Sequence, residues 1–166
     1  YASATIYEYN NFRYILAVIG TDLIALIPET GEITWNYKYL NPEKWDQPGL
    51  IWTNTPVFTD DKIFLTMGYD YNAKMIQMAA DGKSVSEVFT DTIFDNHHHG
   101  VILKNGYLYA SSNTGVYRYK LNEKEEIINI DAPEKIVGGL VDKGRDNAKP
   151  FVLDNAGNIY VTVGSY

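Results

Sequence analysis

The densest group of chemically reactive side chains is the run Asp95-Asn-His-His-His-Gly100, which contains all 3 histidines of the chain. In an extended segment His97 and His99 project to one side and His98 to the other, so two imidazoles can approach one metal ion. A first-row metal site usually has three or four protein ligands, and Asp91, Asp95 or the more distant Asp70 could supply the rest. The alternative is a turn whose histidines hydrogen-bond to neighbouring loops.

A second candidate site consists of loop aromatic residues with one carboxylate. Aromatic side chains on loops often line binding surfaces, so this set predicts a surface for a ligand or a partner. The alternative is that these side chains pack a long connection against the faces of the sheets. The members of the set are Trp45, Trp52, Tyr69, Asp70 and Tyr71.

The composition excludes several classes of site. The chain has no cysteine, which removes a disulfide framework, a thiolate metal site and a cysteine nucleophile. No glycine-rich phosphate-binding pattern opens a helix, and no serine lies in a nucleophile elbow. The net charge of -7 argues against nucleic acid as a partner, because binding to phosphates needs clustered lysine and arginine. No apolar window reaches the roughly 18 residues of a membrane span, so none is expected.

The elements that position these residues are predicted to be strands. Tyr14 to Ile19 is an apolar, β-branched run, and Leu23 to Ile27 is a second one. The sequence Pro28-Glu-Thr-Gly31 is typical of a turn, and Ile33 to Tyr39 follows it as a third strand. The pattern therefore predicts three consecutive antiparallel strands.

A hairpin of the form strand, polar turn, strand recurs at a period of about 40 to 50 residues, which is typical of propeller blades. Its four copies are Ala4 to Gly20, Thr55 to Gly68, Gly100 to Ser112 and Pro150 to Gly164. Each copy turns through residues that tolerate positive φ. These turns are Asn10-Asn11, Asp60-Asp61, Asn105-Gly106 and Asn155-Ala-Gly157.

A second, outer hairpin is predicted after each of the first three copies. After the second copy, Lys74 to Ala79 turns into Val85 to Thr90. After the third copy, Val116 to Leu121 is predicted to turn into Ile127 to Ile130 through a charged stretch. The composition predicts linkers at Leu40 to Leu50 and at Asp131 to Ala148.

The chain runs through one strand, then the pattern ALxxxTGxxxW, then another strand. This order resembles the repeat of the quinoprotein-alcohol-dehydrogenase-like β-propellers, the PQQ-like repeat family. The motif positions are Ala25, Thr30, Gly31 and Trp35. The histidine run also resembles a segment that precedes an inner strand in bacterial members of that family. The resemblance implies an all-β fold, a β-propeller of four-stranded antiparallel blades.

On this interpretation residues 1–166 form a single propeller domain with about three and a half blades, a partial ring. The expected blades are residues 1–41, 51–91, 98–131 and 148–166. A partial ring leads us to expect that the chain belongs to a larger chain or assembly.

The resemblance implies two classes of function, since the family includes both dehydrogenases that hold pyrroloquinoline quinone (PQQ) with calcium and non-catalytic scaffolds. The enzymes commonly carry an adjacent-cysteine disulfide, which this chain cannot form. We therefore favour a non-enzymatic binding or scaffold module without a cofactor, for a protein or glycan partner in the bacterial cell envelope, periplasmic or at the cell surface. The alternative is a quinone- or metal-dependent oxidoreductase that uses His97, His98 and His99 with PQQ and calcium or another divalent metal.

Overall fold

The computed structural model describes residues 2–40, 52–67, 71–91, 100–112, 115–123, 127, 132–138 and 151–161. Within these ranges the regular secondary structure consists of β-strands. The strands form three four-stranded antiparallel sheets and one two-stranded sheet, and each larger sheet contains four strands that are consecutive along the chain. The predicted all-β class is confirmed.

The strand bounds follow the chain order of the four sheets. The first sheet contains β1 (Thr5–Tyr9), β2 (Phe12–Ile19), β3 (Asp22–Leu26) and β4 (Ile33–Lys38). The second contains β5 (Val57–Thr59), β6 (Lys62–Leu65), β7 (Ala73–Met78) and β8 (Val85–Asp91). The third contains β9 (Ile102–Lys104), β10 (Tyr107–Ser112), β11 (Gly115–Lys120) and β12 (Glu134–Gly138). The fourth contains β13 (Phe151–Leu153) and β14 (Ile159–Val161).

The strand pairs of all four predicted inner hairpins are confirmed, while the predicted ends at Gly68, Pro150 and Gly164 lie outside the described residues. Asn10 and Asn11 have φ values of 46° and 65°, and Asn105 and Gly106 have values of 52° and 75°. Two successive residues with positive φ match the right-handed twist of the flanking strands. Asp60 also has a positive φ, of 38°.

The third sheet departs from the prediction in its last strand. Ile127 forms only an isolated bridge to Leu121, and residues 128–130 lie outside the described ranges. The fourth strand is β12, which pairs with β11 and lies inside the stretch predicted to be a linker. The linker prediction is therefore wrong for Glu134–Gly138. Arg118 on β11 holds Glu134 through an ion pair of 2.8 Å, which fixes the start of this strand.

The chain divides into two compact units. The first comprises Tyr1–Leu65 and Lys74–Thr90, and the second comprises Thr66–Ala73 and Asp91–Tyr166. No helix among the described residues is long and apolar enough to cross a membrane.

In the first unit, one face of the first sheet packs on the second sheet. Tyr7 is fully buried, its ring lies 4.9 Å from that of Phe58, and its hydroxyl donates a hydrogen bond of 2.7 Å to the Asp60 carbonyl. Tyr14 likewise donates to the carbonyl of Gly82 at 2.8 Å. Burying apolar ring area while pairing each hydroxyl avoids the cost of an unpaired buried polar group.

In the second unit, the third and fourth sheets share an apolar core. Tyr109, Val116 and Phe151 are buried at its centre. The core also includes Ile136 and Val137 of β12, which explains why this strand is placed here. The ammonium group of Lys104 donates to the carbonyl oxygen of Asp154 and joins the two sheets at their edge.

Candidate functional site

Most of the residues singled out from the sequence lie outside the described part of the chain. These are Trp45, Tyr69, Asp70, His97, His98 and His99. Trp52 and Tyr71 are described, and each belongs to a different compact unit. The metal role of the histidines and the partner surface therefore stay predictions.

Trp52 lies in the interior of the first unit, with 6% of its surface exposed. Its ring centroid is 4.4 Å from that of Tyr39, and its indole nitrogen donates a hydrogen bond of 2.9 Å to the carbonyl of Asn54. These contacts match the packing alternative, in which the side chain fixes the connection between the first two sheets. Tyr71 is half-buried and forms a β-bridge just before β7.

A polar cluster that the sequence analysis did not identify lies close to Trp52. We call it the Glu87 cluster, and its members are Tyr37 on β4, Lys74 on β7, and Glu87 and Thr90 on β8. One carboxylate oxygen of Glu87 accepts hydrogen bonds from the Tyr37 hydroxyl at 2.7 Å and from the Lys74 ammonium at 2.8 Å. The other oxygen accepts from the Thr90 hydroxyl at 2.7 Å.

The three donors determine the electrostatics of the cluster. The Lys74 hydrogen bond, followed by that of Thr90, lowers the pKa of Glu87 to about 2. Burial and the hydrogen bond to Glu87 raise the pKa of Tyr37 well above its usual range. Both groups therefore keep one protonation state at every physiological pH, with Glu87 as an anion and Tyr37 as a neutral phenol.

Lys74 connects the cluster to the aromatic residues around Trp52. Its ammonium nitrogen lies 5.8 Å from the ring centroid of Tyr37 and 5.9 Å from that of Tyr39. Both distances are within the range of a cation–π interaction. Because Tyr39 packs on Trp52, one lysine holds aromatic side chains of the first sheet against the second.

This arrangement favours a structural role over acid–base chemistry. A general acid or base works best with a pKa near the working pH, whereas the pKa of Glu87 lies far below it. All hydrogen bonds described for its carboxylate come from neighbouring side chains. The cluster can therefore fix the relative position of the two sheets.

Part of this cluster was accessible from the sequence. Lys74 and Glu87 lie on the two strands of one predicted outer hairpin, and opposite charges on neighbouring strands attract each other. Tyr37, in contrast, lies on β4 of the first sheet. Its contact with Glu87 depends on how the two sheets stack, which no local pattern encodes.

A second polar network surrounds a buried lysine at the β5–β6 turn. The Lys62 side chain is 4% exposed, and its ammonium lies 2.7 Å from one carboxylate oxygen of Asp61. The other oxygen of Asp61 accepts a hydrogen bond of 2.6 Å from the Gln77 amide. The charge of the buried lysine is thus compensated, as a buried ion requires.

Among the residues that the structure describes, no group of three or more histidine, aspartate or glutamate side chains is arranged to hold a metal ion. The predicted histidine ligands fall outside those ranges. No family model matches the chain, and no curated protein matches it.

Proposed function

We propose that the chain is a non-catalytic β-propeller module of the PQQ-like type, which binds or scaffolds a protein or glycan partner in the bacterial cell envelope. The main support is the repetition of a sheet made of four strands consecutive in the chain. Propeller blades have this construction, and a four-stranded sheet with two apolar faces needs neighbours on both sides. The periplasm or the cell surface is the proposed location, from the resemblance of the repeat alone.

The ionisable groups of the described residues also support a non-catalytic role. Where burial or hydrogen bonding displaces a pKa, the displacement is away from neutrality. The pKa values of Tyr7 and Tyr37 are raised, and those of Glu87 and Asp154 are lowered. Groups displaced in these directions are held in one charge state, which suits a scaffold better than proton transfer.

The partner surface is proposed at the aromatic loops that include Tyr69 and Tyr71. Tyr71 is half-buried, so its ring can contribute contact area at a small entropic cost. The test uses the full chain with Tyr69→Ala and Tyr71→Ala combined, and measures retention on two matrices. Isolated peptidoglycan sacculi probe a glycan partner, and detergent-solubilised envelope proteins with chemical crosslinking probe a protein partner.

We expect the unaltered chain to be retained on one of the two matrices, and the double variant to bind about tenfold more weakly. The matched control is Tyr160→Ala, which removes an exposed tyrosine from the fourth sheet and should not change retention. Absence of retention on both matrices, or an equal loss in the control, would contradict the proposed function.

Elemental analysis of the purified full chain separates the scaffold from the oxidoreductase alternative. Stoichiometric metal that is lost when His98→Ala and His99→Ala are combined, together with quinone-dependent oxidation of an alcohol, would overturn the scaffold. Titration with PQQ and calcium completes the comparison, since a scaffold should show no saturable quinone binding.

A further inference from the structure

The outer face of the first sheet, which points away from the second sheet, carries a row of aliphatic side chains. The antiparallel register pairs Ile6 with Ile15 and Ile15 with Leu26. After a register shift between Ala25 and Leu26, it pairs Leu26 with Ile33. The row therefore contributes one residue from each strand. Ile6 is 43% exposed and Ile33 is 55% exposed, while the two central members are half-buried.

The rows that follow along the strands continue this apolar surface and then become charged. Ala17 pairs with Ile24, which is buried at the centre of the face. The last row pairs the exposed Ile19 with Asp22, and Asp22 with Lys38. The face thus has an apolar centre and a charged corner on β3 and β4.

The opposite corner carries the complementary arrangement. Glu8 on β1 pairs with Arg13 on β2, and their side chains form an ion pair of 3.5 Å. The face therefore balances two acidic residues with two basic ones, although the whole chain has a net charge of -7. Because its own charges balance, this face can meet a second copy of itself without net repulsion.

We propose that two copies of the chain associate through this outer face, with Leu26 near the two-fold axis. When the strands of the two sheets cross at a steep angle, the two-fold axis places the β1–β2 corner of one copy opposite the β3–β4 corner of the other. Glu8 of one copy then lies opposite Lys38 of the second copy. Steeply crossed sheets are an established packing geometry, and a two-fold contact of this kind is self-complementary.

The opposite face of the same sheet shows that its pleated surface can support sheet stacking. There Tyr7 and Tyr14 pack on the second sheet and are buried. The outer face offers an aliphatic row, Ile6, Ile15, Leu26 and Ile33, with no aromatic hydroxyl to satisfy. This association uses strands of the first sheet and not the aromatic loops of the partner surface proposed above. It rests on the partial ring of that proposal, since a neighbouring blade would cover this face in a closed ring.

Sedimentation velocity of the full chain over a concentration series, from low micromolar to near-millimolar, tests the proposal. We expect a reversible monomer–dimer equilibrium. Ile33→Lys places a charge in the aliphatic row and should weaken the dimer at least about tenfold. Because Ile33 is exposed, its replacement should leave the thermal midpoint almost unchanged.

Charge reversal tests the predicted geometry even if the lysine variant does not fold. Glu8→Lys alone and Lys38→Glu alone should each weaken the dimer by about tenfold, and the combined exchange should restore it. Restoration is expected only if these two residues face each other across the contact. Weakening in all three variants would contradict the crossed arrangement.

The matched control is Val152→Lys, which adds the same charge at an exposed apolar position on the fourth sheet. It should leave the monomer–dimer equilibrium unchanged. Three outcomes would each overturn the proposal. The chain could be a monomer at every concentration, Ile33→Lys could leave the dimer unaffected, or the dimer could be lost in Val152→Lys instead. Retention on envelope matrices can succeed or fail independently of all three results.

Discussion

The hydroxyl of Tyr14 donates a hydrogen bond of 2.8 Å to the carbonyl of Gly82 and so ties the first sheet to a turn of the second. Gly82 has a φ of 70°, a conformation that residues with a side chain rarely adopt. A Cβ at this position would contact the Tyr14 hydroxyl and lie 2.7 Å from Cδ2 of Phe12. Two independent constraints, backbone conformation and close approach, therefore require glycine here.

Gly82→Ala should destabilise the first unit by about 2 to 4 kcal/mol, because it adds steric overlap to the cost of a positive φ. The matched control is Gly31→Ala, since Gly31 has a φ of 74° but a Cβ there would meet no atom within 4 Å. That change should cost only about 1 kcal/mol. Urea unfolding followed by circular dichroism measures both, and equal costs would show that close packing at Gly82 is unimportant.

The acid stability of the chain should depend on Glu87. Its pKa falls from 4.5 to about 2 on folding, so its contribution is present above pH 4.5 and is lost as the pH falls towards 2. The side chain is 42% exposed, so after allowing for solvent screening we expect a contribution of about 1 kcal/mol. Glu87→Gln should therefore flatten the stability profile between these pH values.

The free energy of unfolding, measured by urea titration at a series of pH values, checks this prediction. Glu29→Gln is the control, because Glu29 is an exposed glutamate in the turn between β3 and β4 and lies outside the contact proposed above. It should change the acid limb of the profile much less. An unchanged limb in Glu87→Gln would mean that the three hydrogen bonds do not favour the ionised carboxylate.

The local parts of the fold were predictable because they are encoded by neighbouring residues. The turns at Asn10-Asn11 and Asn105-Gly106 need residues that accept positive φ, and the strands on either side carry β-branched and aromatic residues. The last strand of the third sheet was not predictable in this way. Two apolar segments follow β11 in the chain. The second of them forms β12, because its Ile136 and Val137 pack against the core around Tyr109 and Val116.

The candidate site was harder to predict than the hairpins. Lys74 and Glu87 share one outer hairpin, so their attraction follows from the predicted strands. The contact between Tyr37 and Glu87 joins different sheets, and 50 positions separate them. The aromatic residues of the loops show the same limit. Trp52 is of a residue type that often lines binding surfaces, yet its ring packs on that of Tyr39.

Trp35 and Trp52 should differ in their response to phenylalanine. Both are buried, and the indole nitrogen of Trp52 donates to the carbonyl of Asn54 at 2.9 Å. The indole nitrogen of Trp35 has no hydrogen-bond partner among the described residues. Trp52→Phe loses a hydrogen bond as well as ring volume, so it should cost about 1 kcal/mol more than Trp35→Phe. Urea unfolding of the two variants, monitored by circular dichroism, measures the difference, and equal costs would contradict the expectation.

The buried pair of Lys62 and Asp61 should be more sensitive to the loss of one partner than to the loss of both. Asp61→Ala leaves an ammonium group with a 4% exposed side chain and no compensating charge, which should cost about 3 to 5 kcal/mol. Lys62→Met combined with Asp61→Asn removes both charges and keeps an amide that can pair with Gln77. Thermal unfolding should therefore rank the double variant above Asp61→Ala. A double variant as unstable as the single one would mean that the ion pair contributes through its own attraction, and not mainly by neutralising the buried lysine.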